Sequence, residues 1–301
     1  MTKSILLVVS SFCSLLLLSA QERPNPAARS GSLRQIIPGH YAYSTTNNGR
    51  VFNSGVVVTS EGALVFDALD SEAIARAERQ SISDIIKQPV RYLVSSPFHD
   101  PFSKGNIAYA DVLKIGHENY RTGLLDQMER GGLSAEERRA RQPAITFQDR
   151  LTLHFGGKEI QVLYFGKAHT QGDSIIFVPQ DRIAYLSEIF FSDEFPNMAG
   201  GYGVSWLRVL DSIEALQADI FVPGHGSVPE DPKATRAALH RMRQILVDAR
   251  DAIQSELKRG ATEDQVAAAV KLQQYERLPS YDGQREVVVR RMYKELKGDL
   301  K

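Results

Sequence analysis

Cysteine is nearly absent: Cys13 is the one thiol in 301 residues. It falls within residues 1–20, so the rest of the chain is expected to form no disulfide and to offer no thiolate to a metal. Charge of one sign is lacking as well. The 36 Lys and Arg balance the 36 Asp and Glu. Without a basic block there is none of the concentrated cationic surface that nucleic acid requires. After residue 20 no run is long and apolar enough to cross a bilayer, which takes about 20 residues. There is no glycine-rich phosphate loop and no Gly-x-Ser-x-Gly elbow.

Residues 1–20 have the layout of a secretory signal: a basic start at Lys3, a mainly apolar stretch over 5–18, and Ser19-Ala20 before a polar segment. The apolar stretch is short for a membrane anchor. Cleavage is therefore expected, although Leu18 stands where a small residue is preferred. An exported protein, periplasmic or secreted, follows as the expectation. Residues 21–34, rich in Pro, Ala, Arg and Ser, read as a tether. The roughly 280 residues left after cleavage are enough to bury a core without covalent staples. Residues 35–230 read as the folded domain and 231–301 as a helical extension packed on it.

Within 35–230 the pattern is short apolar runs broken by Gly, Asn and Asp. Residues 55–59 and 63–66 read as a hairpin around Ser60-Glu61-Gly62, and Ser71 as the cap of a helix reaching about Lys87. Strands are expected over 90–94, 112–115, 146–155, 159–165, 174–178, 182–186 and 220–222. Two strand-rich blocks, each ending in helices, imply two sheets packed together with helices outside.

Seven histidines are present. His154 lies in an alternating strand, His240 on a charged helix and His40 near the tether, and none is read as functional. The others share a position type. His99, His169 and His225 each follow an expected strand, where ligand sites are usually built in α/β folds, and so does Glu188. Three imidazoles and a carboxylate suit zinc, and also iron or manganese. His117 also follows a strand, and reads equally as a pocket-mouth or a surface residue. Residues 190–206, glycine-rich, read either as a loop over the pocket or as plain surface.

Four motifs, in order and separation, resemble those of the metallo-β-lactamase fold superfamily. Gly166-Lys-Ala-His169-Thr-Gln-Gly172-Asp173 resembles its histidine loop, and Val222-Pro-Gly-His225-Gly its final histidine motif. Phe66-Asp67 resembles its early structural aspartate. Tyr185-Leu-Ser-Glu188 resembles the strand leading to a metal-bridging aspartate, with glutamate in its place. The resemblance implies an α/β fold: a four-layer αββα sandwich of the metallo-β-lactamase type, with C-terminal helices.

A fifth motif departs from the pattern. Family members carry His-x-His-x-Asp-His. Here the equivalent stretch is Pro97-Phe98-His99-Asp100-Pro101-Phe102, with Gly105-Asn106 holding the register. By resemblance, one metal position keeps His99, His169 and Glu188 but loses a ligand at Pro97. The other keeps His225 and Glu188 but loses two, at Pro101 and Phe102. One divalent metal, zinc before iron or manganese, held by His99, His169, Glu188 and His225, is the expectation. With the family's aspartate gone, Glu188, Asp100 or Asp173 must orient the attacking water.

Two functions are compatible with this sequence. One is an exported mononuclear hydrolase that cleaves an ester, lactone or amide bond of a small molecule. The other is a pseudoenzyme without a metal that binds a ligand or partner. A true β-lactamase is disfavoured by the broken dinuclear motif. The sequence leaves the oligomeric state open.

Overall fold

The computed structural model describes residues 31–300. The expected signal and most of the expected tether lie outside the described residues. Order begins before residue 35: strand β1 (Ser32–Ile37) already pairs with β2 (His40–Asn47).

Strands β3 (Arg50–Thr59) and β4 (Gly62–Phe66) form the expected hairpin, with Val58 opposite Ala63. Helix α1 (Glu72–Ile85) is capped by Ser71, whose Oγ accepts from Ile74 N at 3.2 Å. It carries the chain over to β5 (Val90–Ser95), parallel to β4. Strands β6 (Leu113–His117) and β7 (Ile145–Phe147) extend the sheet in parallel, with α2 (Glu118–Arg130) and α3 (Ala135–Arg141) between them. The order is β1-β2-β3-β4-β5-β6-β7. The second sheet runs β12-β11-β10-β9-β8. Its strands are β8 (Arg150–Phe155), β9 (Lys158–Leu163), β10 (Ile175–Val178), β11 (Ile183–Tyr185) and β12 (Ile220–Val222). Helix α4 (Gly203–Glu214) links the last two, which pair in parallel.

The single strand expected over 146–155 is in fact two. Residues 145–147 belong to the first sheet, and residues 150–155 to the second. A two-residue period persists through Gln148-Asp149, but it carries no information about which neighbour a strand pairs with.

Alternation sorts the core into layers. Val57, Leu64, Phe66, Val94 and Ile115 meet Ile160, Val162, Ile176, Val178 and Val222 between the sheets. On the outer face of the first sheet, Val56, Val65 and Leu93 pack against Ala75 and Ile82 of α1. On the outer face of the second, Phe177, Ala184 and Phe221 pack against α4, α5 (Pro232–Lys258) and α7 (Tyr281–Lys297). The result is the expected four-layer αββα arrangement. The short helix α6 (Glu263–Ala269) joins α5 and α7, so the C-terminal extension closes the outer layer.

Among the described residues, Glu78 of α1 is one of several acids buried with no cationic partner, Asp67 and Asp173 being others. Glu78 is fully buried, and its carboxyl meets the hydroxyls of Ser54 and Tyr109, the latter at 2.8 Å. Burial pushes it up to about 8 from an ordinary 4.5. The folded chain therefore keeps this proton up to about pH 8, whereas the unfolded chain releases it near pH 4.5. Stability should fall as pH rises between those values, by at most about 1.4 kcal/mol per pH unit from this group. Glu78→Gln should flatten that slope in urea titrations at pH 5.5, 7 and 8.5. Parallel curves for both proteins would exclude Glu78 as the source.

Candidate metal centre

Both sheets send loops to one end of the sandwich. The loop after β5 brings His99, the loop after β9 brings His169, a turn after β11 brings Glu188, and the loop after β12 brings His225. Asp67, at the end of β4, ties two of these together. Its Oδ1 accepts from Ser96 N at 2.9 Å, and its Oδ2 accepts from the hydroxyl of Ser187, next to Glu188. The Ser96 hydroxyl donates to Ser174 O at 2.9 Å, and Ser174 N donates back to it at 3.0 Å. This clasps the His99 loop to the His169 loop. Two glycines permit close approach. A Cβ at Gly105 would lie 1.8 Å from Ala68 O, and one at Gly224 would lie 2.3 Å from the Ser187 carbonyl carbon. Gly224 thus lets His225 lie beside Glu188.

The tautomers follow from the acceptors. His99 Nδ1 faces the backbone carbonyl of Asp100, and His169 Nδ1 faces that of Asn197 at 3.0 Å. A carbonyl oxygen only accepts, so each Nδ1 carries the hydrogen and each Nε2 offers a lone pair. The two Nε2 atoms lie 2.8 Å apart, and Glu188 Oε2 lies 3.0 and 3.2 Å from them. The three donor atoms form a compact set that could hold one metal ion. Two lone pairs at 2.8 Å repel each other unless a cation sits between them. Glu188 Oε2 is buried and has no hydrogen-bond partner, as expected of an atom that awaits a cation. The donor chemistry, two imidazoles and a carboxylate, fits zinc, iron or manganese.

The electrostatics are consistent with a cation at this point. Burial, together with the charge of its histidine neighbours, pushes His169 down to about 4. Burial also lowers His99, but the charge of Glu188 beside it outweighs this and holds that ring up at about 9. Glu188 is buried too, yet the three histidines hold its carboxyl well below the ordinary range.

His225 stands apart from this set. Its Nε2 donates to the other oxygen of the same carboxylate, Glu188 Oε1, at 2.7 Å. Its Nδ1 faces Glu194 Oε1 at 3.3 Å, and Arg50 Nε donates to Glu194 Oε2 at 2.7 Å. Around the ring lie Phe191, stacked at 4.4 Å, Phe52 at 4.8 Å and Phe102 at 5.3 Å between centroids. Phe102, which stands where the family pattern has histidine, therefore fills space next to His225 with a fully buried ring.

The two other acids read as catalytic fall differently. Asp173 lies buried behind the loop, where its carboxylate accepts from the backbone N and the hydroxyl of Thr170. It shapes the His169 turn and does not face the three donor atoms. Asp100 pairs with Lys104 at 2.8 Å through Oδ2, while its Oδ1 has no hydrogen-bond partner. Asp100 also lines the cavity of about 490 Å³ that opens over His99 and His169, alongside Phe98, Gln171, Asn197 and Tyr202.

The remaining histidines resolve as follows. His117 is buried, caps α2 by accepting from Asn119 N at 3.0 Å, and stacks on Tyr164 at 3.8 Å, so it is neither a surface nor a pocket residue. His40, read as lying near a tether, is fully buried, with Nε2 on Asp181 at 2.7 Å and Nδ1 on the Tyr185 hydroxyl at 3.2 Å. Residues 190–206 form one wall of the cavity: Phe190, Phe191, Phe195 and Met198 are buried, while Asn197, Ala199, Gly200 and Tyr202 border it. The sequence reading did not identify Glu194 or Arg50, because Arg50, the first residue of β3, and Glu194, outside any helix or strand, belong to no recognisable motif.

The comparisons with known proteins agree with this architecture. The chain is 22% identical over 264 residues to a linear primary-alkylsulfatase of Pseudomonas sp. (strain ATCC 19151), covering 72% of this chain and 49% of that protein. It is 23% identical over 188 residues to the metallo-beta-lactamase type 2 of Bacillus cereus, covering 60% and 68%. The chain spans about half the length of the alkylsulfatase. Among solved structures, a sec-alkylsulfatase of Pseudomonas sp. superposes with a TM-score of 0.67 at 14% identity, covering 88% of this chain and 50% of that one. A metallo-beta-lactamase from Pontibacter korlensis gives 0.58 at 20% identity, covering 70% and 99%. The profile of the metallo-beta-lactamase superfamily matches residues 48–225, more than half of the sequence, and the chain belongs to that superfamily.

Proposed function

We propose that this protein is an exported hydrolase that uses one divalent metal, zinc before iron or manganese, to cleave an ester-type bond of a small molecule. Carboxylic esters, lactones, amides and, by analogy with the alkylsulfatase relative, sulfate esters are the substrate classes to test first. The observation that carries this reading is the convergence of His99 Nε2, His169 Nε2 and Glu188 Oε2 beside an open cavity. A divalent ion held there would polarise the scissile group and make an attacking water more acidic. The two imidazoles, each fixed through Nδ1, supply neutral donors, and Glu188 supplies the compensating charge. Asp100 borders the cavity beside His99 and is the candidate to orient the water. Phe98 and Tyr202 give the cavity apolar and aromatic wall for the rest of the substrate.

Protein purified without chelator should contain about one equivalent of metal per chain by elemental analysis. His169→Ala should abolish binding. Finding no metal, even after zinc, manganese and iron(II) are offered, would exclude this function. The burial of Phe102 in a ligand position favours a second reading, a non-catalytic binding protein. One bound metal without turnover across ester, lactone, amide and sulfate-ester probes would favour it.

A further inference from the structure

We infer that His225 is a positioning residue and not a metal ligand: backed by Glu194 and Arg50, it aims the free oxygen of Glu188 at His99 and His169. The inference rests on the metal site proposed above and changes the role of one of its expected ligands.

Hydrogen-bond chemistry makes the first step. Arg50 Nη2, which can only donate, lies 3.4 Å from His225 Nδ1, so Nδ1 accepts and the ring hydrogen sits on Nε2, which donates to Glu188 Oε1 at 2.7 Å. A ring nitrogen that carries this hydrogen has no lone pair for a metal. The bond also fixes the carboxylate: with Oε1 held by His225, Oε2 is the oxygen left facing the two imidazoles. Metal-binding carboxylates are commonly held by such outer hydrogen bonds, whose loss typically weakens metal affinity 10- to 100-fold.

The second step is what holds His225. Glu194 Oε1 faces its Nδ1 at 3.3 Å, and Glu194 Oε2 takes hydrogen bonds from Arg50 Nε at 2.7 Å and Ser280 Oγ at 3.0 Å. Glu194 is 4% exposed and His225 is 1% exposed, so water does not compete for either. Phe191, Phe52 and Phe102 enclose the ring on three sides. None of them can ligate an ion, and they occupy the space beside His225. Arg50 thus reaches His225 Nδ1 at 3.4 Å while holding Glu194 beside the ring, and His225 in turn holds Glu188.

Zinc competition titrations against a chromophoric chelator test this directly. Wild type should bind one equivalent. His99→Ala and His169→Ala should lose binding. His225→Ala and Glu194→Ala should still bind one equivalent, with affinity weakened roughly 10- to 100-fold. His225→Gln, whose side-chain amide can donate to Glu188, should recover part of the loss. Cobalt-loaded His225→Ala should keep the coordination number of wild type in its visible spectrum, which a lost ligand would change. Long-range ¹⁵N–¹H spectra of the loaded wild type need no variant: Nε2 of His225 should carry a proton, and Nε2 of His99 and His169 should not. A metal-shifted, unprotonated His225 Nε2 would overturn the inference while leaving the metal site standing. So would an affinity unchanged in both His225→Ala and Glu194→Ala. A wild type that takes no metal would remove the site and the inference together.

Discussion

With Glu188 replaced by glutamine, divalent-metal affinity is expected to fall roughly 10²- to 10⁴-fold. Among the described residues, Glu188 is the one anion that touches the His99–His169 pair, and it is 1% exposed. Removing one partner of a buried charge pair typically costs about 3–5 kcal/mol, and each 1.4 kcal/mol is about tenfold in affinity. Orientation adds to the loss. The glutamine carbonyl would keep the hydrogen bond from His225 Nε2, which now falls on Glu188 Oε1. The amide NH₂ would then stand at the position of Oε2 and present hydrogens to the place where a cation needs a lone pair. Glu188→Asp restores the charge but shortens the side chain by one methylene, and should recover only part of the affinity. The same chelator competition reads both variants. Affinity retained within threefold in Glu188→Gln would show that this carboxylate is not a ligand.

The second large effect is on stability. Trp206→Ala is expected to destabilise the metal-free protein by about 3–5 kcal/mol, seen as a fall in Tm on the order of 10 °C. Trp206, on α4, is fully buried, and its Nε1 donates to Ile189 O at 3.1 Å. Its ring meets His169 edge-on at 5.8 Å and Phe191 at 6.2 Å. Alanine leaves a cavity behind the site and orphans a buried carbonyl. Trp206→Phe keeps most of the packing and loses the hydrogen bond, so it should cost less than half as much. Equal losses in the two variants would mean that the hydrogen bond, not the packing, carries the effect.

What the sequence made legible was local or motif-bound. His99, His169, Glu188 and His225 stand next to strand ends, and their strands are marked by apolar runs with clear boundaries. The β3–β4 hairpin and helix α1 announce themselves through Ser60-Glu61-Gly62 and Ser71. Pairing across space was not legible. The segment 145–155 divides between sheets because nothing in a two-residue alternation names a partner. His40 looked peripheral because it adjoins a polar segment, yet Asp181, about 140 residues later, completes its burial. Glu194 and Arg50 went unseen for the same reason: they are 144 residues apart, and neither has a meaning until the fold joins them. Within a motif, too, a residue type does not settle its role. Both His169 and His225 are motif histidines, and only the hydrogen-bond partner of each Nε2 separates them.

Asn53 has a consequence for the order in which the molecule assembles. Its side-chain amide donates to Pro223 O at 3.1 Å and Gly226 O at 2.8 Å, across 170 and 173 residues of chain. Its backbone N donates to Gly224 O at 2.8 Å. Closing so long a loop costs chain entropy before any contact repays it, and contacts of high sequence separation slow folding. Docking of the His225 loop therefore joins β3 of the first sheet to the loop after β12 of the second. A nascent chain ending near residue 220 already carries His99, His169 and Glu188 but lacks the loop that holds Glu188 in place. The stitch at Asn53 thus ties the loop that aligns the carboxylate to the first sheet, so an incomplete chain lacks that alignment.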